Sequence, residues 1–359
     1  MRAVILHEFG RPVEITTVAD PVAGAGDVVV DVVATGVLPY TGEVLSGARR
    51  YALTLPVIPG PGAVGRVRSA GPDATRLAPG DWVLVDPTVR SRDGGLTPDI
   101  TLQGWSARGD GGLVLQRYFG NGAFAEQVLA PAENVFPIGD IDPADAPRWV
   151  AAGVCLVPYG GLRAGELRPG ETVLVSGATG NYGSIAIAVA LAMGAGIVVA
   201  PGRNADLLDA LVRRFGTRVR PVRLTGDEGA DRAAMLAAAG PVDLVLDLLP
   251  PQAPAAAARA AAMTAREHGR VVLMGGVGML GGDDLALPYP WLMRNSITVR
   301  GQWMYPPAAN TELIRMVATG LLDLSLFDVT TFSLDETEKA VADAAAHARN
   351  FHLTTICPR

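Results

Sequence analysis

Cysteine is nearly missing from this chain of 359 residues: Cys155 and Cys357 are the only two. Two cysteines cannot form a disulfide framework or a cysteine-rich zinc site. Their scarcity leaves the cytoplasm as the expected compartment. Histidine is almost as rare, with only His7, His268, His347 and His352. No pair of them stands at i,i+4 on one helix with an acidic partner in the pattern of a hydrolytic metal site. His347 and His352, near the C-terminus, are expected at the surface. Basic residues are not in excess. The formal net charge of -6 argues against nucleic acid and anionic membranes as partners. The start, "MRAVILHEFG", lacks the succession of basic region, apolar stretch and small-residue cleavage site that marks a signal peptide, and it alternates like a strand. Internal repeats are absent.

Charge disappears altogether between Thr172 and Gly202. A bilayer span needs roughly 20 apolar residues, and 184–201 comes close. Yet Gly194, Gly196 and Pro201 interrupt the run where a turn is needed, and β-branched residues cluster on both sides. A central strand covered by helices on both faces is equally uncharged. The stretch therefore reads as buried structure of a globular domain, not as a membrane span.

What the sequence does contain is ample apolar material, 49% of residues, in a chain long enough for two domains or three. Abundant glycine (43) and proline (27) indicate many turns. Residues 1–90 read as strands and turns, with "DVVVDVVATG" (27–36) alternating between a mixed and an apolar face. Residues 91–122 are glycine-rich and read as an irregular segment, of a length that compact domains usually reserve for function or motion. "AFAEQVLAPAENVFPI" returns to strand character. From about residue 150 strands and helices alternate. "TVLVSG", "GIVVAP", "RVRPVRL", "VDLVLDLLP" and "RVVLMGGV" are the strands. "YGSIAIAVALAMG", "ADLLDALVRRFG", "GADRAAMLAAAG" and "PAAAARAAAMTAREHG" are the helices between them. This order predicts an α/β domain built on a doubly wound parallel sheet. After "NSITVRGQWMY" come a helix near 310–320 and a short closing region.

Within the uncharged stretch lies the turn Gly177-Ala178-Thr179-Gly180-Asn181-Tyr182-Gly183. Its G-x-x-G-x-x-G spacing differs from the usual dinucleotide fingerprint by one shifted glycine. A glycine-tight turn still lets backbone N–H groups approach a pyrophosphate, and the helix N-terminus adds a favourable dipole. A glycine triplet can also be a purely structural turn. The strand before it, the helix after it and a second strand ending about 20 residues on favour the nucleotide reading. That second strand ends in Gly202, Arg203 and Asn204, where an NAD site usually has an acidic residue for the ribose 2′-OH. A guanidinium in place of a carboxylate favours a 2′-phosphate, so NADP is the expected cofactor. Arg223, at the end of the third strand, is either a second phosphate contact or one of several solvated arginines.

The order of these segments identifies a resemblance over nearly the whole chain. "GDVVVDVVATGV", "PVIPGPGAVGRV" and "PGDWVLV" precede "GAFAEQVLAPAENVFPI" and "ETVLVSGATGNYGSIAIAVALAMGA". The chain resembles the medium-chain dehydrogenase/reductase superfamily. The resemblance implies a GroES-like, β-rich catalytic domain made from both chain ends, with a Rossmann domain inserted between them. The expected boundaries are 1–149 and 295–359 for the catalytic domain, the latter including a dimer strand, and 150–294 for the Rossmann domain. Zinc-containing alcohol dehydrogenases of this superfamily carry a Cys after "GV" and "GHE" after the proline stretch. Leu38 stands at the first position, and Pro61 and Gly62 at the His-Glu positions. The third ligand position falls near Gly153, with Cys155 close but alone. None of Leu, Pro or Gly offers a side-chain zinc ligand, and 91–122 holds no four-cysteine lobe. No metal is expected. The departure is similar to the zinc-free quinone oxidoreductase and enoyl reductase branch.

The resemblance implies hydride transfer from NADPH to an activated C=C bond or a quinone, and the chain's aromatic residues suggest a small hydrophobic substrate. Two alternatives stay open: a carbonyl or imine reductase using a protein acid in place of zinc, and a non-catalytic NADPH-binding protein on the same scaffold. Tyr40 lies two residues after the lost ligand position, where zinc-dependent relatives relay a proton. A phenol with a pKa of ~10 is a reasonable proton donor, though the same tyrosine can simply pack its ring. Thr41 is a weaker polar candidate, and Tyr159 shapes the cleft or is structural. Trp105, Tyr118, Trp291, Trp303 and Tyr305 are candidates to line an apolar pocket. Asp247, Met274 and Gly275 fall, by resemblance, beside the nicotinamide ribose. Asp243 and Asp247 flank one strand, and Asp247 is read first as a capping or loop carboxylate. The segment "SITVRGQWMY" (296–305) alternates as a strand should, and relatives use its equivalent to form a homodimer.

Overall fold

The computed structural model describes residues 1–94 and 96–358. Two compact units share the chain. The first comprises Met1–Gly153, Leu324–Ala348 and the segment from His352 onward, and the second comprises Val154–Asp323 with Arg349–Phe351.

The first unit is organised by the 11-residue strand Asp27–Val37, buried along almost its whole length. It pairs antiparallel with Ala63–Ala70, with Gln127–Pro131 along its first half, and with His352–Cys357 at its last residues. The full order runs Val135–Pro137, Trp82–Val85, Ala63–Ala70, Asp27–Val37, His352–Cys357, Asp328–Ser333. Two segments from the far end of the chain thus complete a sheet begun at residue 27. Even Asp27 is buried, where it accepts a hydrogen bond from the Tyr118 hydroxyl at 2.7 Å. Valines dominate the interior: Val28, Val30, Val32, Val83 and Val128 pack in one cluster, as β-branched residues do on a pleated surface.

Residues 91–122 are more ordered than their glycine content suggests. Ile100–Leu102 and Ser106–Arg108 form a small antiparallel sheet with Thr88–Arg90, followed by the helix Gly109–Gln116. Gly104 and Gly109 take positive φ at the turn and the helix entry, so these glycines punctuate structure rather than dissolve it.

The second unit is a six-stranded sheet in the order Val219–Arg223, Ile197–Gly202, Thr172–Ser176, Val242–Asp247, Ala265–Leu273, Thr298–Gly301. Every neighbouring pair is parallel. This is the doubly wound order, reversing between the strands that end at Ser176 and Asp247. The helix Asn181–Ala192 and its flanking strands are almost wholly buried, which accounts for the absence of charge. Among the described residues no helix is long and apolar enough to cross a membrane.

Two expectations need correction. The helix expected through "AREHG" stops at Ala262. Thr264 donates back to the Ala261 carbonyl at 2.7 Å, and Ala265 already pairs with Val242, so the next strand claims those residues. The return to the first unit comes at Leu324, not at 295. Residues Thr298–Gly301 pair with Ala265–Leu273 and belong to the parallel sheet, and the extended segment expected over 296–305 is confined to those four.

Candidate functional site

The glycine turn sits at the switch point of the parallel sheet. Gly177 follows the strand Thr172–Ser176 with φ +85°, and Gly180 caps the helix Asn181–Ala192. The Gly180 amide donates to the Gly177 carbonyl at 2.9 Å, tightening the turn. Gly183 lies so close to that carbonyl that any β-carbon would overlap its oxygen. The turn therefore presents backbone and a helix N-terminus with no side chain at its tightest points. That is a surface to which a pyrophosphate can dock.

The end of the next strand meets this turn. A β-carbon on Gly202 would overlap the Thr179 side chain, so the two segments touch because one of them is glycine. Arg203 is exposed immediately beyond. Arg223, also exposed, is the cross-strand partner of Gly202. The two guanidinium side chains thus project from adjacent strand ends. Asn204 does something different: its side chain accepts from the Leu207 amide at 3.1 Å and caps the helix Ala205–Phe215. Asn181, Tyr182 and Thr179 are half-buried around the turn.

Asp247 is neither a cap nor an ordinary loop carboxylate. It ends its strand opposite Ser176 and is only 4% exposed. Its Oδ1 has no hydrogen-bond partner. Burial pushes its carboxyl up to about 6, opposed by the Ser176 hydroxyl and the Leu249 amide. A β-carbon on Gly275 would strike this carboxylate, so Gly275 is where the next strand leaves room for it. Asp243, by contrast, is structural: it accepts from the Thr172 amide at 2.8 Å and pairs with Arg266 at 2.6 Å.

In the first unit, Leu38 is buried and Gly62 takes φ +76°. A β-carbon on Gly62 would lie 2.6 Å from the Val85 carbonyl, and the Gly62 carbonyl itself accepts from the Thr35 hydroxyl at 2.8 Å. The backbone here is built for glycine, not for a carboxylate side chain. Pro61 contributes no donor, and Gly153 has open space but no side chain. Cys155 is fully buried, and burial pushes its thiol up, which keeps it protonated. A zinc ion requires about four N, O or S donors, and these positions do not fit one.

Beside Leu38, Tyr40 begins the short helix Thr41–Leu45. The Arg49 guanidinium lies 4.3 Å from its ring centroid and pairs with Glu43 at 3.0 Å. Trp105 meets the same ring edge-on, with centroids 5.9 Å apart. Both Trp105 Nε1 and Thr41 Oγ1 are buried and lack hydrogen-bond partners. A tyrosine, a cation and two unsatisfied polar groups therefore gather where the metal ligands are missing. Arg49 lies in the turn that follows the same short helix and Trp105 in a distant loop, so spacing alone does not show that both meet Tyr40.

The remaining aromatic candidates do not form a set. Trp291 packs on the core of the parallel sheet, Tyr305 is buried against Gly160, and Tyr118 and Trp303 are exposed. Tyr159 is buried in the second unit and donates to Glu312 Oε2 at 2.7 Å. Burial and this carboxylate push its hydroxyl up to about 12, a structural role. His352 is not a surface residue: its side chain is 8% exposed, because it opens the strand His352–Cys357 next to Asp343. Asp343 and His347 form an i,i+4 pair that sequence spacing could have shown.

The family models agree with this architecture. One described as the alcohol dehydrogenase GroES-like domain matches residues 24–140, and one described as zinc-binding dehydrogenase matches 182–319. An alcohol dehydrogenase of Geobacillus stearothermophilus is 31% identical over 238 residues, covering 64% of this chain and 67% of that protein. The chain belongs to the medium-chain dehydrogenase/reductase superfamily. An alcohol dehydrogenase of Moraxella sp. strain TAE123 is 34% identical over 220 residues, 61% of this chain; the match spans 62% of that relative's length. An acryloyl-coenzyme A reductase of Metallosphaera sedula is 30% identical over 204 residues, covering 55% of this chain and 58% of its own length. Among solved structures, a putative alcohol dehydrogenase from Sinorhizobium meliloti 1021 is similar with a TM-score of 0.78 and 25% identity, covering 100% of this chain and 97% of that one. For a medium-chain dehydrogenase/reductase, the donor-free positions 38, 61 and 62 are the main departure, since its second half matches a model named for zinc binding.

Asp247 yields a measurable consequence. Its folded-state pKa lies above the ordinary carboxylate value, so the contribution it makes to stability is complete below the unfolded pKa of 3.8 and lost as pH rises through about 6. Ionising it in the fold costs on the order of 3 kcal/mol. The stability difference between Asp247→Asn and the unmodified chain, followed by thermal unfolding without nucleotide, should shift in favour of the variant between pH 4 and 7. A constant difference across that range would contradict a buried, poorly partnered carboxylate.

Proposed function

We propose that this chain is a zinc-independent, NADPH-dependent oxidoreductase that reduces an activated C=C bond of an enone or enoyl group, or a quinone. The observation that carries the reading is the absence of metal donors at Leu38, Pro61 and Gly62, with Tyr40 two residues after Leu38. A metal-dependent alcohol route uses a Lewis acid to acidify the substrate hydroxyl. Conjugate reduction needs a proton donor and a means to stabilise negative charge on oxygen.

NADPH, when bound, supplies hydride. The Gly177–Gly183 turn and the N-terminus of the helix it opens hold the pyrophosphate. Arg203 and Arg223, on adjacent strand ends, hold the 2′-phosphate. Gly275 and Asp247 border the nicotinamide ribose. Tyr40 delivers the proton that completes reduction, and Arg49, 4.3 Å from its ring centroid, stabilises the phenolate left behind. Trp105 Nε1, buried without a partner and on the ring that meets Tyr40, is a donor that a product oxygen could use. The acryloyl-coenzyme A reductase among the relatives supports reduction of a conjugated C=C bond. The alcohol dehydrogenase names of the others favour a second reading, a carbonyl or imine reductase in which Tyr40 takes the place of zinc. One enone assayed beside its saturated ketone separates the two. Nucleotide binding with no turnover of either would point to a non-catalytic protein.

The strand Thr298–Gly301 is the outer edge of the parallel sheet, and all four of its residues are exposed. Pairing with the same strand of a second copy would cover it and remove an aggregation hazard. The assembly proposed is a homodimer.

Three outcomes are expected. Arg203→Asp should weaken NADPH binding about ten- to a hundredfold, the worth of a charge-assisted contact, and narrow or reverse the preference over NADH. Equal binding of both nucleotides by the unmodified chain would refute the assignment. Tyr40→Phe should leave NADPH affinity unchanged and lower turnover roughly 10²- to 10⁴-fold; a fall within about threefold would leave Tyr40 as a wall of the pocket. Sedimentation should show a dimer or a multiple of it, and a monomer at micromolar concentration counts against the edge-strand pairing.

A further inference from the structure

The last helix and last strand of the first unit bring three metal-ligating side chains together. Asp343 and His347 sit one turn apart at the end of the helix Thr337–Ala346, with His347 as its C-cap. The chain then reverses through Phe351, at φ +55°, and His352 opens the strand His352–Cys357. His347 Nδ1 lies 2.8 Å from Asp343 Oδ1, and His352 Nε2 lies 3.1 Å from Asp343 Oδ2. The imidazole rings are 4.8 Å apart between centroids. Among the described residues this is the one group of three such side chains, and their ligand atoms all lie within 4.8 Å of one another.

We propose that Asp343, His347 and His352 form a binding site for a divalent transition-metal ion of the zinc type. Two imidazoles and a carboxylate are a donor set that zinc takes readily, at ~2.0–2.2 Å from each ligand. Tetrahedral ligands at that radius stand about 3.3–3.5 Å apart. His347 Nδ1 and His352 Nε2 each lie somewhat closer than that to one oxygen of the carboxylate, and to different oxygens, so taking up an ion requires rotations of the three side chains. The carboxylate is prepared for the role. The Thr354 hydroxyl donates to its Oδ2 at 2.7 Å, and such a hydrogen bond from behind orients a ligating carboxylate. The helix C-terminus adds negative potential. Asp343 is 15% exposed, while His347, at 39%, leaves a side open to water for a fourth ligand. An ion there would tie the helix Thr337–Ala346 to the strand His352–Cys357; neither contains Leu38, Pro61 or Gly62, but the strand pairs with residues 35–37 and the helix packs at Val341 against Gly42.

Chelator-treated full-length protein titrated with zinc chloride near pH 7.5 should bind one equivalent calorimetrically, with micromolar affinity or better, and its unfolding midpoint should rise with zinc. Cobalt(II) in place of zinc should give the visible absorption of a four-coordinate site. His347→Ala removes a partly exposed ligand without opening the core. It should weaken zinc binding at least a hundredfold and abolish the cobalt spectrum, and Asp343→Asn should weaken it similarly. Cys357→Ser, on the same strand but outside the cluster, should bind zinc as the unmodified chain does. Absence of a stoichiometric zinc site, or a site that survives His347→Ala undiminished, would overturn the proposal, leaving the cluster as hydrogen-bonded side chains only.

Discussion

The approach of Gly183 to the Gly177 carbonyl sets the geometry of the second unit. It brings the helix Asn181–Ala192 down onto the strand before it, and with that packing the helix becomes apolar on every side. The Gly202–Thr179 contact then brings the end of the neighbouring strand to the same turn. Both contacts are between backbone and small groups, so the turn keeps amide groups accessible and excludes bulk. Arg203, Arg223 and Asp247 acquire their meaning from this framework: two cations on one side of the turn, one buried carboxyl on the other.

The first unit poses the complementary problem. A fold whose relatives include proteins named for zinc binding has, at the corresponding positions, a leucine, a proline and a glycine. At Gly62 the backbone takes a positive φ with no room for a β-carbon. What stands nearby is a tyrosine held between a guanidinium and an indole. Such a group can give up a proton with the resulting charge already compensated, but it cannot polarise a hydroxyl as a dication does. Chemistry that ends in protonation suits these residues better than chemistry that begins with deprotonation.

Much of this could be read from the sequence, because it rests on local patterns. The parallel sheet follows from strand and helix periods, the turn from three glycines, and the missing donors from three residue types. The failures have a common cause. Whether "AREHG" is helix or strand depends on Val242 accepting Ala265 as a partner, which is a tertiary fact. The glycine-rich segment 91–122 looked irregular because glycine signals a turn without saying what lies on either side of it. Asp247 looked like a cap because its neighbours in sequence do not disclose that both faces of its strand are covered. Arg49 meets Tyr40 only because a loop folds back. A place near the end of the sequence suggests the surface for His352, a criterion that carries no information where that segment is woven into a sheet.

That weaving has a consequence for how the protein is made. The strand Asp27–Val37 leaves the ribosome well before His352–Cys357, which completes one stretch of its edge. The second unit has all six of its strands between these two, and each finds its partners nearby in the chain. During synthesis the inner unit can therefore finish while the outer one still waits with the edge at residues 35–37 unpaired, the kind of surface that nascent chains must shield from their neighbours. Order of emergence and order of completion run in opposite directions.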